Sequence, residues 1–401
     1  MNPAPTGLRA FGAVWFVYFA GIALFNPYAP LWFKELGFST LLIGAVASLQ
    51  SWTRVVAPYG WGWWADHGAS RVRLIRLAAA AALVAASGFL FVRGEWAVAA
   101  CTALLFLANG AIVPLSESAL ASRLSATGGF DARRYGRVRV WGSIGFVVSV
   151  VAAGALLQRA GISLFPVLLC LLYALLLAVA MRLPEPGAKA AGAALPPPVL
   201  PVLRRPAVAW FFASVALTVL GHTALYAFFS LLLDARGYPK SAVGALWAVS
   251  VAVEIVFFWF QGQALARFDA YRWLQWAGLA SAARFAMTAA AEGSTALLVA
   301  AQLLHALTFA AHHAASIVLV SRHFPGALRT RGQALYSVLG YGVPGVCGGL
   351  AGGWVAEHHG LPAVFWLAAV AGLGGAAAAA RAARHDRVVH ETASAGAPNG
   401  R

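Results

Sequence analysis

Residues 109–124 read NGAIVPLSESALASRL and residues 135–146 read YGRVRVWGSIGF, separated by a short basic loop. Glu117 stands in an apolar helical run, and Arg139 opens the next one. An ionisable group at the centre of a bilayer costs about 3 kcal/mol on insertion scales, so such groups mark solute or ion paths. Asn109 and Glu117 lie about two turns apart on one helix face. Arg139 and Phe146 are seven apart and also share a face. Small residues at Gly142, Ser143 and Gly145 permit close helix approach. An arginine with an aromatic ring two turns deeper suits an anionic or hydroxylated head group above a stacking surface. Arg137 reads instead as an anchor at the membrane edge.

Working outward, the 401-residue chain is 61% hydrophobic and only 10% charged. A soluble domain carries about a quarter charged residues, so this composition belongs to a membrane protein. A spanning helix needs about 20 apolar residues. Twelve segments qualify, at 9–33, 39–64, 74–93, 96–120, 138–158, 162–182, 207–233, 241–266, 273–291, 294–320, 333–356 and 361–381. Helices are the expected form, because open strands cannot span lipid. The first segment is too long for a signal-peptide core and reads as the first span. The formal charge of +16 does not point to nucleic acid. With the N-terminus inside, one face collects 22 arginines and lysines, and the other only Lys34, Arg93, Arg159, Arg236 and Lys240. That bias predicts a multi-pass protein of a bacterial cytoplasmic (inner) membrane with both termini cytoplasmic. Cys101, Cys170 and Cys347 all fall inside spans, without metal-ligand spacing, and no cofactor or metal is expected.

The stretch PEPGAKAAGAALPPPVLPVLRRP within 183–206 is proline-rich and too interrupted to span. It divides the chain into six-helix halves at 1–182 and 207–381, followed by a polar tail at 382–401 read as disordered. At an offset of 200 residues Gly21, Gly37, Gly44 and Gly62 match Gly221, Gly237, Gly244 and Gly262. In that register Arg54 of the second span stands opposite Glu254 of the eighth. Repeated halves with a binding site between them at midplane are a transporter architecture.

The loop after the second span, GWGWWADHGASRVR, places Asp66 four residues after Gly62 and before Arg71 and Arg73. This loosely resembles the G-x-x-x-D loop signature of the major facilitator superfamily, in which the loop latches the halves. The resemblance assigns a gating role to Asp66, Arg71 and Arg73. The opening segments resemble the oligosaccharide:proton symporters of that superfamily. There a glutamate, the second arginine of F-G-R-x-R and an aromatic bind substrate, which maps onto Glu117, Arg139 and Phe146. Along most of the chain the likeness is closer to the 3-phenylpropionate permeases, through YGRVRVWGS, GYPKSAVGALWAVSVAVEI and LLHALTFAAHHAA. The fold implied is an all-α integral membrane protein of two pseudo-symmetric six-helix bundles.

Glu254 and Arg284 are each isolated in their own spans and would be costly alone, so they are expected to approach one another or share water. Both match charged positions of the symporter pattern. In that pattern Gln302 and Thr308 replace a lysine and a proton-carrying glutamate, while His305 is retained. Proton coupling therefore falls to Glu254, His305 or Glu117, since carboxyl and imidazole groups bind protons reversibly. His222 reads as a neutral hydrogen-bonder, and His312 and His313 are left open. Asn26, whose amide needs a partner, and Tyr226 complete the expected substrate contacts. Aromatics of the first span (Tyr18, Phe19, Phe25, Tyr28 and Trp32) and the seventh (Tyr226, Phe228 and Phe229) are candidates to line the cavity, with most of them read as lipid-facing or interfacial.

The expected function is proton-coupled symport of a small organic solute, an aromatic carboxylate such as a phenylpropionate first. Sugar or nucleoside symport and drug or metabolite efflux remain alternatives. A membrane-embedded transferase fits poorly, because no nucleophile elbow or metal motif occurs. The expected partners are the substrate, protons and the bilayer, with the monomer as the functional unit.

Overall fold

The computed structural model describes residues 7–67, 69–124, 131–184 and 198–395. Among them the chain forms twelve long helices and no strand. These are α1 (Leu8–Glu35), α2 (Thr40–Asp66), α3 (Arg71–Gly88), α4 (Glu95–Leu124), α5 (Ala132–Ala160) and α6 (Phe165–Met181). They continue as α7 (Pro206–Ala235), α8 (Lys240–Arg267), α9 (Ala270–Ala290), α10 (Thr295–His323), α11 (Arg329–His359) and α12 (Leu361–Ala395). Ten are long and apolar enough to cross a membrane. The other two are α3, which begins with Arg71, Arg73 and Arg76, and α9, which carries Arg272 and Arg284. The protein is an all-α, multi-pass membrane protein.

Local chemistry sets the helix ends. Side chains of Ser39, Ser70, Asp131, Asp269 and Ser294 each accept a backbone N–H in the first turn of α2, α3, α5, α9 and α10. They satisfy donors that a helix start otherwise leaves unpaired. Gly37 and Gly237 follow α1 and α7 with φ of 86° and 77°, a backbone region that side chains avoid. Another matched pair, Gly44 and Gly244, serves contact. A Cβ on Gly44 would strike the Gly349 carbonyl of α11, and one on Gly244 the Val150 carbonyl of α5. Close packing of this kind is how helices associate where lipid removes the hydrophobic driving force. Gly62 and Gly262 border open space.

Thus α2 crosses α11 and α5 crosses α8 at small-residue contacts. The polar links between α1–α6 and α7–α12 gather toward the end that carries Lys34. Lys34 Nζ pairs with Asp234 at 2.7 Å, and Thr40 donates to Glu357 at 2.7 Å. The Lys240 N–H donates to Gln158 at 2.7 Å, and the buried Tyr28 hydroxyl lies 2.8 Å from the Val150 carbonyl and 3.3 Å from that of Lys240. Near this end Phe25, Trp32, Phe33, Phe89 and Phe165 form a buried aromatic core.

Two segments depart from the sequence expectation. The last helix runs past residue 381 to Ala395, where a disordered tail was expected. No glycine or proline interrupts Ala376–Ala395, Ala382 and Ala383 are buried, and Asp386 pairs with Arg322 at 3.6 Å. Of the expected linker, residues 185–197 lie outside the described ones, while Leu200–Leu203 form one helical turn ahead of Pro206.

Candidate functional site

Both helix crossings frame the middle of the molecule, and the unusual polar residues of the spans collect there in two groups. The first group belongs to α1, α4 and α5. The Arg139 guanidinium lies 4.6 Å from the ring centre of Trp15 and 4.9 Å from that of Phe19. Trp15 and Phe19 are four apart on α1, so one turn of helix presents both rings. A guanidinium over an indole face gains about 0.5–2 kcal/mol, the more so when desolvated. No ion pair within 4.0 Å joins Glu117 to Arg139 among the described residues. Glu117 Oε1 instead accepts the Tyr135 hydroxyl at 3.4 Å, and Arg139 acts on it only through the field. Tyr135 in turn meets Trp15 edge-on at 6.4 Å. The tyrosine satisfies the carboxylate, which frees the arginine for the rings.

Phe146 is likewise placed differently from the expectation. It is buried and faces Trp247 of α8 at 6.3 Å, and Trp247 also packs on Tyr226 at 6.0 Å. Phe146 therefore belongs to an aromatic bridge between α5, α7 and α8, and the rings under Arg139 come from α1. Sequence reading missed Trp15 and Tyr135. A Trp-x-x-x-Phe spacing on the first span was the available signal.

Asn109 is 2% exposed; its amide nitrogen donates to the Tyr173 hydroxyl, but its Oδ1 has no hydrogen-bond partner. The Asn26 amide oxygen is also buried and unpartnered. A cavity of about 300 Å³ opens beside Asn109, between α1, α2, α4 and α11, and holds Arg54. Arg54 and Glu254, which correspond in the 200-residue register, form no ion pair with one another; Glu254 faces another residue.

That residue is His305, the centre of the second group. Arg284, fully buried on α9, donates to His305 Nδ1 at 2.7 Å, to Thr308 Oγ1 at 3.0 Å and to Gln302 Oε1 at 2.8 Å. The Ser250 hydroxyl also donates to Gln302 Oε1, at 2.7 Å. A guanidinium only donates, so His305 Nδ1 accepts and the ring proton sits on Nε2. That nitrogen is 3.5 Å from Glu254 Oε2. The expected approach of Glu254 and Arg284 is thus mediated by the imidazole. Thr308 stands as an acceptor for Arg284, a role its hydroxyl fills without titrating. The ring of His305 stacks on Phe309 at 5.2 Å. Residues Ala306–Ala311 form a π-helical segment, a deviation common at functional sites. It lets α10 present His305 and Thr308 to one guanidinium.

Other histidines extend this region. His222 Nδ1 donates to the Thr218 carbonyl at 3.0 Å, consistent with a neutral hydrogen-bonder. His313 meets the Tyr336 hydroxyl at 3.2 Å, which meets Tyr341 at 3.2 Å, within a second π-helical segment at Tyr336–Gly342. The contact of α5 with α8, made in part by Phe146 on Trp247, brings the helices of the two groups together. Of the expected gating residues, the Asp66 side chain lies outside the described ones. Arg71 Nη1 lies 3.5 Å from the Ser122 hydroxyl, and Arg73 contributes its N–H to the Ser70 cap.

The MFS_1 like family model matches residues 8–367. A relative from Escherichia coli (strain K12), named Probable 3-phenylpropionic acid transporter, is 28% identical over 90% of this chain and 93% of its own. The Maltose permease of Geobacillus stearothermophilus is 26% identical over 94% of each. Among solved structures, a mutant of the nucleoside transporter NupG superposes with a TM-score of 0.84 at 19% identity, covering 94% of this chain and 99% of that one.

Proposed function

We propose that this chain, which belongs to the MFS_1 like family and is a transporter rather than an enzyme, imports a small aromatic carboxylate together with protons. The observation that carries the reading is Arg139, a cation within a span that rests on Trp15 and Phe19 and has no carboxylate bonded to it among the described residues. A substrate with a ring and a carboxylate complements both features, since the ring extends the stack and the carboxylate pairs with the guanidinium. The name of the E. coli relative supports that class. Asn26, Asn109, Tyr226 and Phe146 supply further polar and aromatic contacts on the two sides of the central space.

Coupling falls to the chain Glu254–His305–Arg284. A proton arriving on Glu254 cancels a charge that otherwise faces the imidazole Nε2–H. His305 stays oriented because Arg284 occupies its Nδ1. A proton on Glu254 and a monoanion at Arg139 together add no net charge to the central space, so the two can cross together without a further charge entering the occluded state. The moving parts are two six-helix bundles, α1–α6 and α7–α12, joined by residues 183–206. They rock about the small-residue crossings of α2 with α11 and α5 with α8. The excess of arginine on one face supports a bacterial inner-membrane setting with cytoplasmic termini, and the chain acts as a monomer.

The test is uptake into proteoliposomes under an imposed pH gradient. Phenylpropionate accumulation that follows the gradient, and that Arg139→Ala abolishes, is the expected result. Accumulation of a neutral sugar or nucleoside instead, with no aromatic acid taken up, overturns the substrate class. Gradient-driven accumulation that survives Glu254→Gln unchanged overturns the coupling assignment.

A further inference from the structure

The cavity beside Asn109 contains a cation that the mechanism above does not use. Arg54 lies near the middle of α2, and it lines the cavity of about 300 Å³ with Tyr18, Phe19, Gln50, Asn109 and Ser337. Among the described residues no carboxylate or other acceptor bonds its guanidinium. Placing a lone cation inside a span is costly unless water or an anion attends it.

Surroundings separate the two arginines. Arg139 lies against the rings of Trp15 and Phe19. Arg54 has no bonded acceptor among the described residues and is exposed to the cavity. Phe19 lines that cavity and also lies 4.9 Å from the Arg139 guanidinium, so one ring adjoins both the cavity of Arg54 and Arg139. A second observation marks the same cavity as a ligand site. Asn109 is 2% exposed and its Oδ1 lacks a donor, an omission that costs about 1–3 kcal/mol when nothing fills it.

We propose that Arg54 is a second substrate-binding residue, which shares the carboxylate of the transported acid with Arg139 and adds to its selection of anions from the α1–α2–α4–α11 cavity, while the substrate ring lies against Phe19. Arg54 and Arg139 then both reach the acid beside that ring. Asn109 Oδ1 accepts from a hydroxyl on the ring where the substrate carries one. This extends the reading of the central space as the transport site and rests on it. It makes the site selective for organic monoanions over neutral solutes of the same shape.

The experiment measures binding of phenylpropionate, its uncharged amide, an aliphatic monocarboxylate and a neutral sugar to the purified full-length protein. Wild type, Arg54→Gln and Arg54→Lys are compared, and folding is monitored by thermal melting. Arg54 makes no side-chain bond among the described residues, so both variants are expected to melt close to wild type. The expected result is a preference of wild type for acid over amide. Arg54→Gln weakens the acid by about tenfold or more, the scale of one charge-assisted hydrogen bond, and leaves the amide unchanged. Arg54→Lys restores part of the preference. An acid-to-amide ratio unchanged in Arg54→Gln overturns the assignment, as does equal weakening of both ligands. Arg54-dependent binding of the aliphatic acid alone keeps Arg54 as an anion-selecting residue and overturns the aromatic reading. Binding of the sugar with no acid bound overturns both.

Discussion

Arg139 and Arg284 are both arginines inside membrane-spanning helices, yet their hydrogen-bond accounts are opposite. Arg284 is fully buried and gives three hydrogen bonds, to His305, Thr308 and Gln302. Arg139 rests its charge on the faces of Trp15 and Phe19, and aromatic faces leave most guanidinium N–H groups free. A cation that gives three hydrogen bonds within its own protein orients neighbours. One whose donors are free is placed to meet a ligand. The same sequence signal, an arginine in an apolar run, thus serves two purposes, and only the partners separate them.

The comparison is broken most directly at Arg284. Arg284→Met is expected to lower stability by about 3–5 kcal/mol, because removing one member of a buried polar network leaves the others unpaired. Thermal melting in detergent reads this, and Arg284→Lys should recover only part of the loss, since an ammonium cannot hold three acceptors in the fork geometry. If Arg284→Met melts like wild type, the network is not structural. Arg139→Ala should show the reverse pattern. Substrate affinity is expected to fall by about 2–3 kcal/mol, the worth of a charge-assisted pair, with melting nearly unchanged. A ligand titration alongside the melt decides it.

Smaller effects sharpen the picture. Glu254→Gln retains the shape of the carboxyl and loses its proton. It should preserve substrate exchange between loaded vesicles while removing accumulation driven by a pH gradient. Thr308→Val deletes one of three acceptors for Arg284 and should cost about 1–2 kcal/mol in melting. At the far end, Lys34 and Asp234 form an exposed pair, and a double-mutant cycle should give about 0.2–1 kcal/mol. A larger coupling there would mean that the pair holds the closed end together.

Several of these features could be read ahead of the structure. The apolar runs marked each helix that was found, because lipid demands an unbroken apolar stretch and satisfied backbone groups. Even α3 and α9, the least apolar, were marked by their alanine-rich centres. The glycine register at an offset of 200 was read only as a sign of repeated halves; the structure gives its pairs matching local roles, positive φ at Gly37 and Gly237 and close helix contacts at Gly44 and Gly244. Glu254 and Arg284 were expected to approach because each is costly alone, and His305 was singled out by the family resemblance. Their order was not legible, since the imidazole comes between the carboxylate and the guanidinium only where a π-helical segment turns α10. The partners of Glu117 and Arg139 were not legible for a related reason. Tyr135 and Trp15, each ordinary in sequence, meet the two charges separately.

The amino-acid sequence on its own determined that the chain is a multi-pass helical membrane protein and which of its charges are out of place in lipid. Both follow from transfer free energies that each residue carries wherever it sits. Tertiary structure alone decided which charge meets which partner. Arg284 was given three buried acceptors, Arg139 was laid on rings and Arg54 was left facing a cavity. Those outcomes depend on helix crossings and on distances of a few ångströms between residues far apart in the chain, which no local pattern encodes.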